Sequence, residues 1–176
     1  MSARSRNLEA MSLFVMTNPT PAPRIPDLSA RPFELLAERT FPFPAQTLYW
    51  AWTEGFDRWF AAPGSVWMQP VVGAAYFFET EHRFEANSPA QRHPHYGRFL
   101  KLEPNKLVQL TWVTGAAGTV GAETVVTVEL TSQGDGTHLR LTHAGFADEK
   151  SRDQHATAWP HVLAQMERRL DGVRPG

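Results

Sequence analysis

The chain has no cysteine among its 176 residues. Disulfides, a thiolate nucleophile and Cys-ligated zinc are excluded together, and the composition suits a reducing compartment. Nor is there an excess of either charge, since seventeen Lys and Arg stand against eighteen Asp and Glu. That balance leaves no electrostatic footprint for nucleic acid or for an anionic membrane surface. Long apolar runs are missing as well. "MSLFVM" at 11–16 is too short to cross a bilayer, and "TNPTPAPRIPDLSARP" after it does not make a signal-peptide cleavage region. The expectation is a cytoplasmic protein, monomer or homodimer, with no nucleic-acid or membrane partner.

A chain of this length suits one domain that buries roughly 70% of its unfolded surface. Residues 1–30 carry Pro19, Pro21, Pro23 and Pro26 among small polar residues, a composition that cannot offset its ordering entropy. We expect a flexible tail there and a domain over 31–176, frayed at its final "GVRPG". "FELLAERTFPF" (33–43) reads as a first strand, and Pro44 sits where a first helical turn tolerates it. "AQTLYWAWTEGFDRWF" then gives one or two short helices broken near Gly55. Trp50 and Trp52 cannot share a helical face, so one of them packs against something other than the sheet.

From Val71 to His143 the pattern is strands separated by "NSPAQRHP", "EPNK", "GAAGTVG" and "SQGDG", all turn-forming stretches. Connections this short join antiparallel neighbours and leave no room for crossover helices. Alternation assigns Thr124, Val126, Val128 and Leu130 to one side of their strand. Likewise Leu139, Leu141 and His143 share a side, as do Val108, Leu110 and Trp112, and as do Tyr96, Arg98, Leu100 and Leu102. The inner wall is then apolar with four polar exceptions: Tyr96, Arg98, Thr124 and His143. From Asp148 to Leu170 the spacing predicts a helix on which His155, Trp159, Val162, Leu163, Met166 and Leu170 form one stripe, with His161 opposite. Acids at its start and Arg168 and Arg169 at its end complement the helix dipole. The fold class is α+β, with the helix stripe buried on the concave face of a curved antiparallel sheet.

"PFPAQTLYWAWTEGFDRWF", "GRFLKLEPNKLVQLTW", "ETVVTVELTSQGDGTHLRLTHAGF" and "RDQHATAWPHVLAQMERRL" resemble, in order and spacing, the SRPBCC (START, Bet v 1-like) superfamily. The branch they look most like is named after the activator of heat-shock protein 90 ATPase homologue. The resemblance covers roughly 33–170. It implies a helix-grip fold, in which the sheet wraps around a long C-terminal helix and two short helices follow the first strand, with a hydrophobic cavity between sheet and helix. It also implies a ligand-binding or chaperone-linked role; some relatives are polyketide aromatases, cyclases or dehydratases. Most members carry Gly before the helix tryptophan, where this chain has Ala158, a departure that bears on cavity shape.

The residues expected to meet a ligand are Trp59, Trp67, Tyr76, Phe78, Tyr96, Arg98, Trp112, His143, His155 and Trp159. So many large flat side chains suit a lined cavity, although each taken singly suits a core. A buried Arg98 needs a ligand anion or an internal carboxylate such as Glu79 or Glu123, unless a local bulge turns it out to water. His143 and His155 meet either a ligand or the backbone of the loop between them. Three histidines converging on a metal are not expected, because His155 and His161 diverge around the helix. "HPH" at 93–95 falls at a loop end and carries no metal site either. With no nucleophile elbow, Gly-rich phosphate loop or metal motif, no cofactor is expected, and binding of a small apolar or aromatic ligand is favoured over catalysis. The alternatives are an enzyme of the cyclase, aromatase or dehydratase type in the same cavity, and a co-chaperone.

Overall fold

The computed structural model describes residues 22–82, 89–115 and 118–173. The elements are β1 (Phe33–Phe41), α1 (Ala45–Ala51), α2 (Phe56–Trp59), β2 (Ala75–His82), β3 (Gln91–Glu103), β4 (Leu107–Thr114), β5 (Thr124–Gln133), β6 (Gly136–Phe146) and α3 (Glu149–Leu170). The six strands form one antiparallel sheet in the order β1-β6-β5-β4-β3-β2. It curves around α3, with α1 and α2 following the first strand: the helix-grip arrangement.

Local chemistry explains the breaks. Pro44, in extended conformation, stands at the N-cap of α1, and Gly55 at that of α2. A side chain at Gly55 would run into the Trp50 ring, so the short helices meet only because that position is bare. Asp148 caps α3 by accepting from the Ser151 amide at 2.7 Å. Glu149 in the first turn and Arg168 and Arg169 in the last match the macrodipole. Pro160 interrupts the helix ladder, because it has no N–H to give the Ala156 carbonyl.

The stripe on α3 comes down on the sheet as the sequence predicts, with Trp159, Leu163, Met166 and Leu170 buried and His161 exposed. Beneath it lie Leu35, Phe41, Val108, Leu110, Val126, Val128, Leu139 and Leu141. The helical plug supplies Leu48, Trp52, Phe56 and Trp59, all fully buried. Trp52 rests against Trp159 at 6.0 Å between ring centroids and against Trp59 at 5.2 Å. Trp112 lies 5.7 Å from Trp159 and 5.6 Å from Phe78. Of the aromatic side chains expected to line a central cavity, Trp59, Tyr76, Phe78, Trp112 and Trp159 therefore pack into the core instead.

Strand β3 departs from simple alternation. Phe99 pairs with Leu110 and Lys101 with Gln109, so two residues of β3 span one step of β4 and Leu100 is inserted as a bulge. Such an insertion reverses the facing of every residue before it. His95 and Phe99 turn inward, whereas Tyr96 is 46% exposed on the outer face. Arg98 joins Tyr96 there, ion-paired to Glu123 at 2.7 Å and donating to the Arg24 carbonyl at 2.8 Å. The inward assignment of Tyr96 and Arg98 is thus corrected. "HPH" is also no loop end, since 91–94 pairs with β2 while pairing with β4 begins only at His95. Pro94 is tolerated there because β4 offers it no ladder partner. Trp67 bridges to Phe77 on the outer edge and is 65% exposed, away from the core.

Most of the expected tail, residues 1–21, lies outside the described residues. Within its described part, besides the Arg24 contact, Leu28 sits over Gly145, and Arg31 donates to the Glu123 carbonyl at 2.9 Å.

A methyl group at Gly97 would lie 2.1 Å from the Thr111 carbonyl oxygen. We expect Gly97→Ala to cost about 1–3 kcal/mol through overpacking of the β3–β4 pair, read as a lower thermal midpoint. An unchanged midpoint would show that the two strands are not packed this tightly.

Candidate functional site

On the inner face of β6, three residues before its end, stands His143, which is fully buried. Its Nδ1 lies 3.1 Å from the indole Nε1 of Trp159, a group that can only donate. Nδ1 must therefore be the acceptor, and the ring hydrogen sits on Nε2. From there it is given to Thr124 Oγ1 at 2.7 Å, and the Thr124 hydroxyl donates in turn to the Trp112 carbonyl. The chain runs Trp159 to His143 to Thr124 to Trp112, tying α3 to β6, β5 and β4, with the Thr124 hydroxyl both accepting and donating. A second proton on His143 would place two N–H groups face to face with Trp159. Burial and the neighbouring His155 both hold its pKa well below the ordinary 6.5.

His155, one helical turn before Trp159, follows a different rule. Its Nδ1 faces the Ser151 carbonyl at 2.8 Å, and a carbonyl only accepts. Nδ1 therefore carries the hydrogen and Nε2 keeps its lone pair. The ring packs on Phe146 at 4.9 Å and edge-on to His143 at 5.1 Å, and burial lowers its pKa. His95 repeats the pattern on β3, with Nδ1 3.0 Å from the His93 carbonyl. It stacks flat on Phe78 at 4.8 Å and meets Trp112 at 5.1 Å and Phe60 at 5.6 Å edge-on. Burial pushes its pKa down to about 4.

These two imidazoles belong to a pocket of about 350 Å³ that opens between the β2–β3 hairpin, the end of β4 and the first half of α3. Thr80, His82, His93 and His95 come from the hairpin, Thr114, Gly115 and Gly118 from the β4 end, and Gln154, His155 and Ala158 from the helix. Thr114 is held by reciprocal bonds with Thr119, amide to hydroxyl in each direction at 2.9 and 2.7 Å. Among the described residues, no group of three or more His, Cys, Asp or Glu is arranged to hold a metal ion.

Of the ten residues expected to meet a ligand, the structure brings only His155 to the pocket wall. Phe78 and Trp112 lie directly behind His95 as its floor. Trp59 and Tyr76 are buried further in, each satisfied by a carbonyl, Ala51 at 2.8 Å and Thr111 at 2.7 Å. Trp159 and His143 are occupied with each other, and Tyr96, Arg98 and Trp67 lie outside. Sequence reasoning missed Thr80, His82, His93, His95, Thr114 and Gln154. The period-two "HPH" was the available signal, hidden by the proline between the rings.

The family described as Activator of Hsp90 ATPase homolog 1-like protein matches residues 42–171. Among solved structures, protein CV1439 from Chromobacterium violaceum shares 22% identity at a TM-score of 0.65, over 77% of this chain and 95% of its own. CalU16 from Micromonospora echinospora shares 20% at 0.56, over 77% and 74%. The AHSA1-like protein from Aeromonas hydrophila shares 19% at 0.57, over 79% and 92%. At these identities the likeness is one of fold. No curated protein matches the chain.

The three depressed histidines set a pH dependence of stability. Below about pH 6.5 the unfolded chain takes up protons that His95, His143 and His155 refuse in the folded state. Stability is therefore full above that pH and falls as pH drops, by up to about 1.4 kcal/mol per pH unit for each such group. Urea unfolding should show a lower midpoint at pH 5 than at pH 7.5. In His95→Phe the difference should shrink by about one proton's share; an unchanged slope would mean that His95 is not buried neutral.

Proposed function

The chain belongs to the activator of Hsp90 ATPase homolog 1-like family, and from that premise we propose that it binds a small, largely apolar molecule in the pocket between the β2–β3 hairpin and α3. The carrying observation is an open hollow of about 350 Å³ in which histidine, threonine and glutamine groups converge over an aromatic floor. That size and mixture suit a ligand site. Binding is favoured over cyclase, aromatase or dehydratase chemistry because Tyr96, Arg98, His143 and His155 do not converge on one hollow. Tyr96 and Arg98 face outward and His143 has both ring nitrogens engaged, so only His155 remains at the wall.

Ala158 is an exposed residue on the pocket wall, so its enlargement obstructs the hollow without touching the core. Native mass spectrometry of protein purified from its own host should show a retained small molecule, absent from Ala158→Phe at an unchanged thermal midpoint. Full retention by that variant would place the ligand elsewhere.

A second reading, contact with a chaperone, is favoured by the exposed strip of Trp67, Phe77 and Tyr96, which are 65%, 37% and 46% accessible. In that case Trp67→Glu should abolish stimulation of a chaperone ATPase and leave ligand retention unchanged. No stimulation by the unaltered chain would dismiss this reading.

A further inference from the structure

Resting on the pocket reading above, we infer the class of its ligand: a flat molecule that donates a hydrogen bond, such as a phenol or an N–H heteroaromatic, in preference to one that only accepts, such as an ether or a carboxylate. The inference comes from what the walls can and cannot do. His95 and His155 both line the hollow, and each has its Nδ1 hydrogen committed to a backbone carbonyl, at 3.0 and 2.8 Å. The ring nitrogen that each offers a ligand is therefore Nε2, as a lone-pair acceptor. The commitment is local, His95 to the second residue before it and His155 to the fourth, so ligand entry does not disturb it.

His95 is 8% exposed and wedged among Phe60, Phe78 and Trp112, where a charged ring would lose its hydration. It stays neutral, as the depressed pKa also indicates. His82 and His93 add two further imidazoles, and no Lys, Arg, Asp or Glu stands among the described residues of the wall. An ether or a carboxylate would bring only lone pairs to those of His95 and His155. The threonine hydroxyls and the Gln154 amide accept or donate as required, so the fixed preference is set by His95 and His155, whose tautomers the backbone holds. Phe78 and Trp112 behind His95 favour a flat apolar body on the donating group.

Three probes of one ring system test this: 2-naphthol, 2-methoxynaphthalene and 2-naphthoate, titrated into the ¹⁵N-labelled full chain at pH 8 with the amides of Thr80, Thr114, Gln154 and His155 as reporters. Expected is 2-naphthol binding about ten-fold more tightly than the ether, the size of one good neutral hydrogen bond, and more tightly still than the naphthoate. His95→Phe keeps an aromatic ring but no acceptor, and should bring naphthol and ether together; His155→Phe is the second such variant. Long-range ¹⁵N correlation spectra of the unaltered chain should show Nδ1 protonated and Nε2 bare in both residues. Equal binding of naphthol and ether, tighter binding of the naphthoate, or the opposite tautomer in both rings would overturn the ligand class and leave the pocket standing. If none of the probes moves the pocket amides, the pocket reading falls and this inference falls with it.

Discussion

The hydrogen-bond chain from Trp159 through His143 and Thr124 to the Trp112 carbonyl is the constraint from which the rest of the molecule is set. It crosses three strands and the long helix inside an apolar interior, where an unmade bond costs about 1–3 kcal/mol. Because an indole only donates and a carbonyl only accepts, the direction of every bond is determined, and so is the neutral form of His143. Hydrophobic burial alone would let α3 turn or slide on the sheet. The chain fixes its rotation, and with Trp159 fixed, His155 one turn earlier and Ala158 beside it must face the end of the β2–β3 hairpin. The pocket wall is thus a consequence of a bond made in the core.

The same economy accounts for what became of the central cavity. Family members with this fold share a sheet and a helix, but the space between them depends on side-chain volume. Here Trp52, Phe56 and Trp59 enter from the short helices, Trp52 against Trp159 and Phe56 against Phe78, and with Trp112 the six rings form one cluster at ring distances of 5.0–6.0 Å. Packing of this kind is worth more than an empty apolar hollow, since a void forfeits contacts on its lining. One indole, Trp52 Nε1, has no hydrogen-bond partner among the described residues. Its ring contacts offset a cost that a polar cluster of the same size would not tolerate. An open hollow lies instead at the hairpin end, where the chain carries histidines.

Much of this was legible in the sequence, and the misses have two causes. Strand alternation on β4, β5 and β6, the helix stripe and the turn stretches follow from periods of 2 and 3.6, which a single chain displays directly. They placed Thr124, His143 and Trp159 inside, as observed. The face of Tyr96 and Arg98 depended on whether a residue was inserted between Phe99 and Lys101, and a bulge leaves no mark in apolar periodicity when the inserted residue is itself a leucine. Large aromatic residues were read as pocket wall because composition cannot tell a lined cavity from a filled one; only volume can.

That bulge also decides the chemistry of the site. Had β3 run in register from Leu102 back to Gln91, Tyr96 would stand on the inner face and His95 on the outer. The hollow would then hold a phenol, which both donates and accepts, in place of an imidazole whose hydrogen is committed to its own strand. Inserting Leu100 exchanges the two and puts His93 and His95 on the same side as Thr80. It also sends Arg98 outward to Glu123, so that the strongest donor in the strand is removed from the pocket. One extra residue in an edge hairpin therefore converts a wall that would attract anions into one that offers lone pairs, and the acceptor character of the site rests on strand register as much as on the histidines themselves.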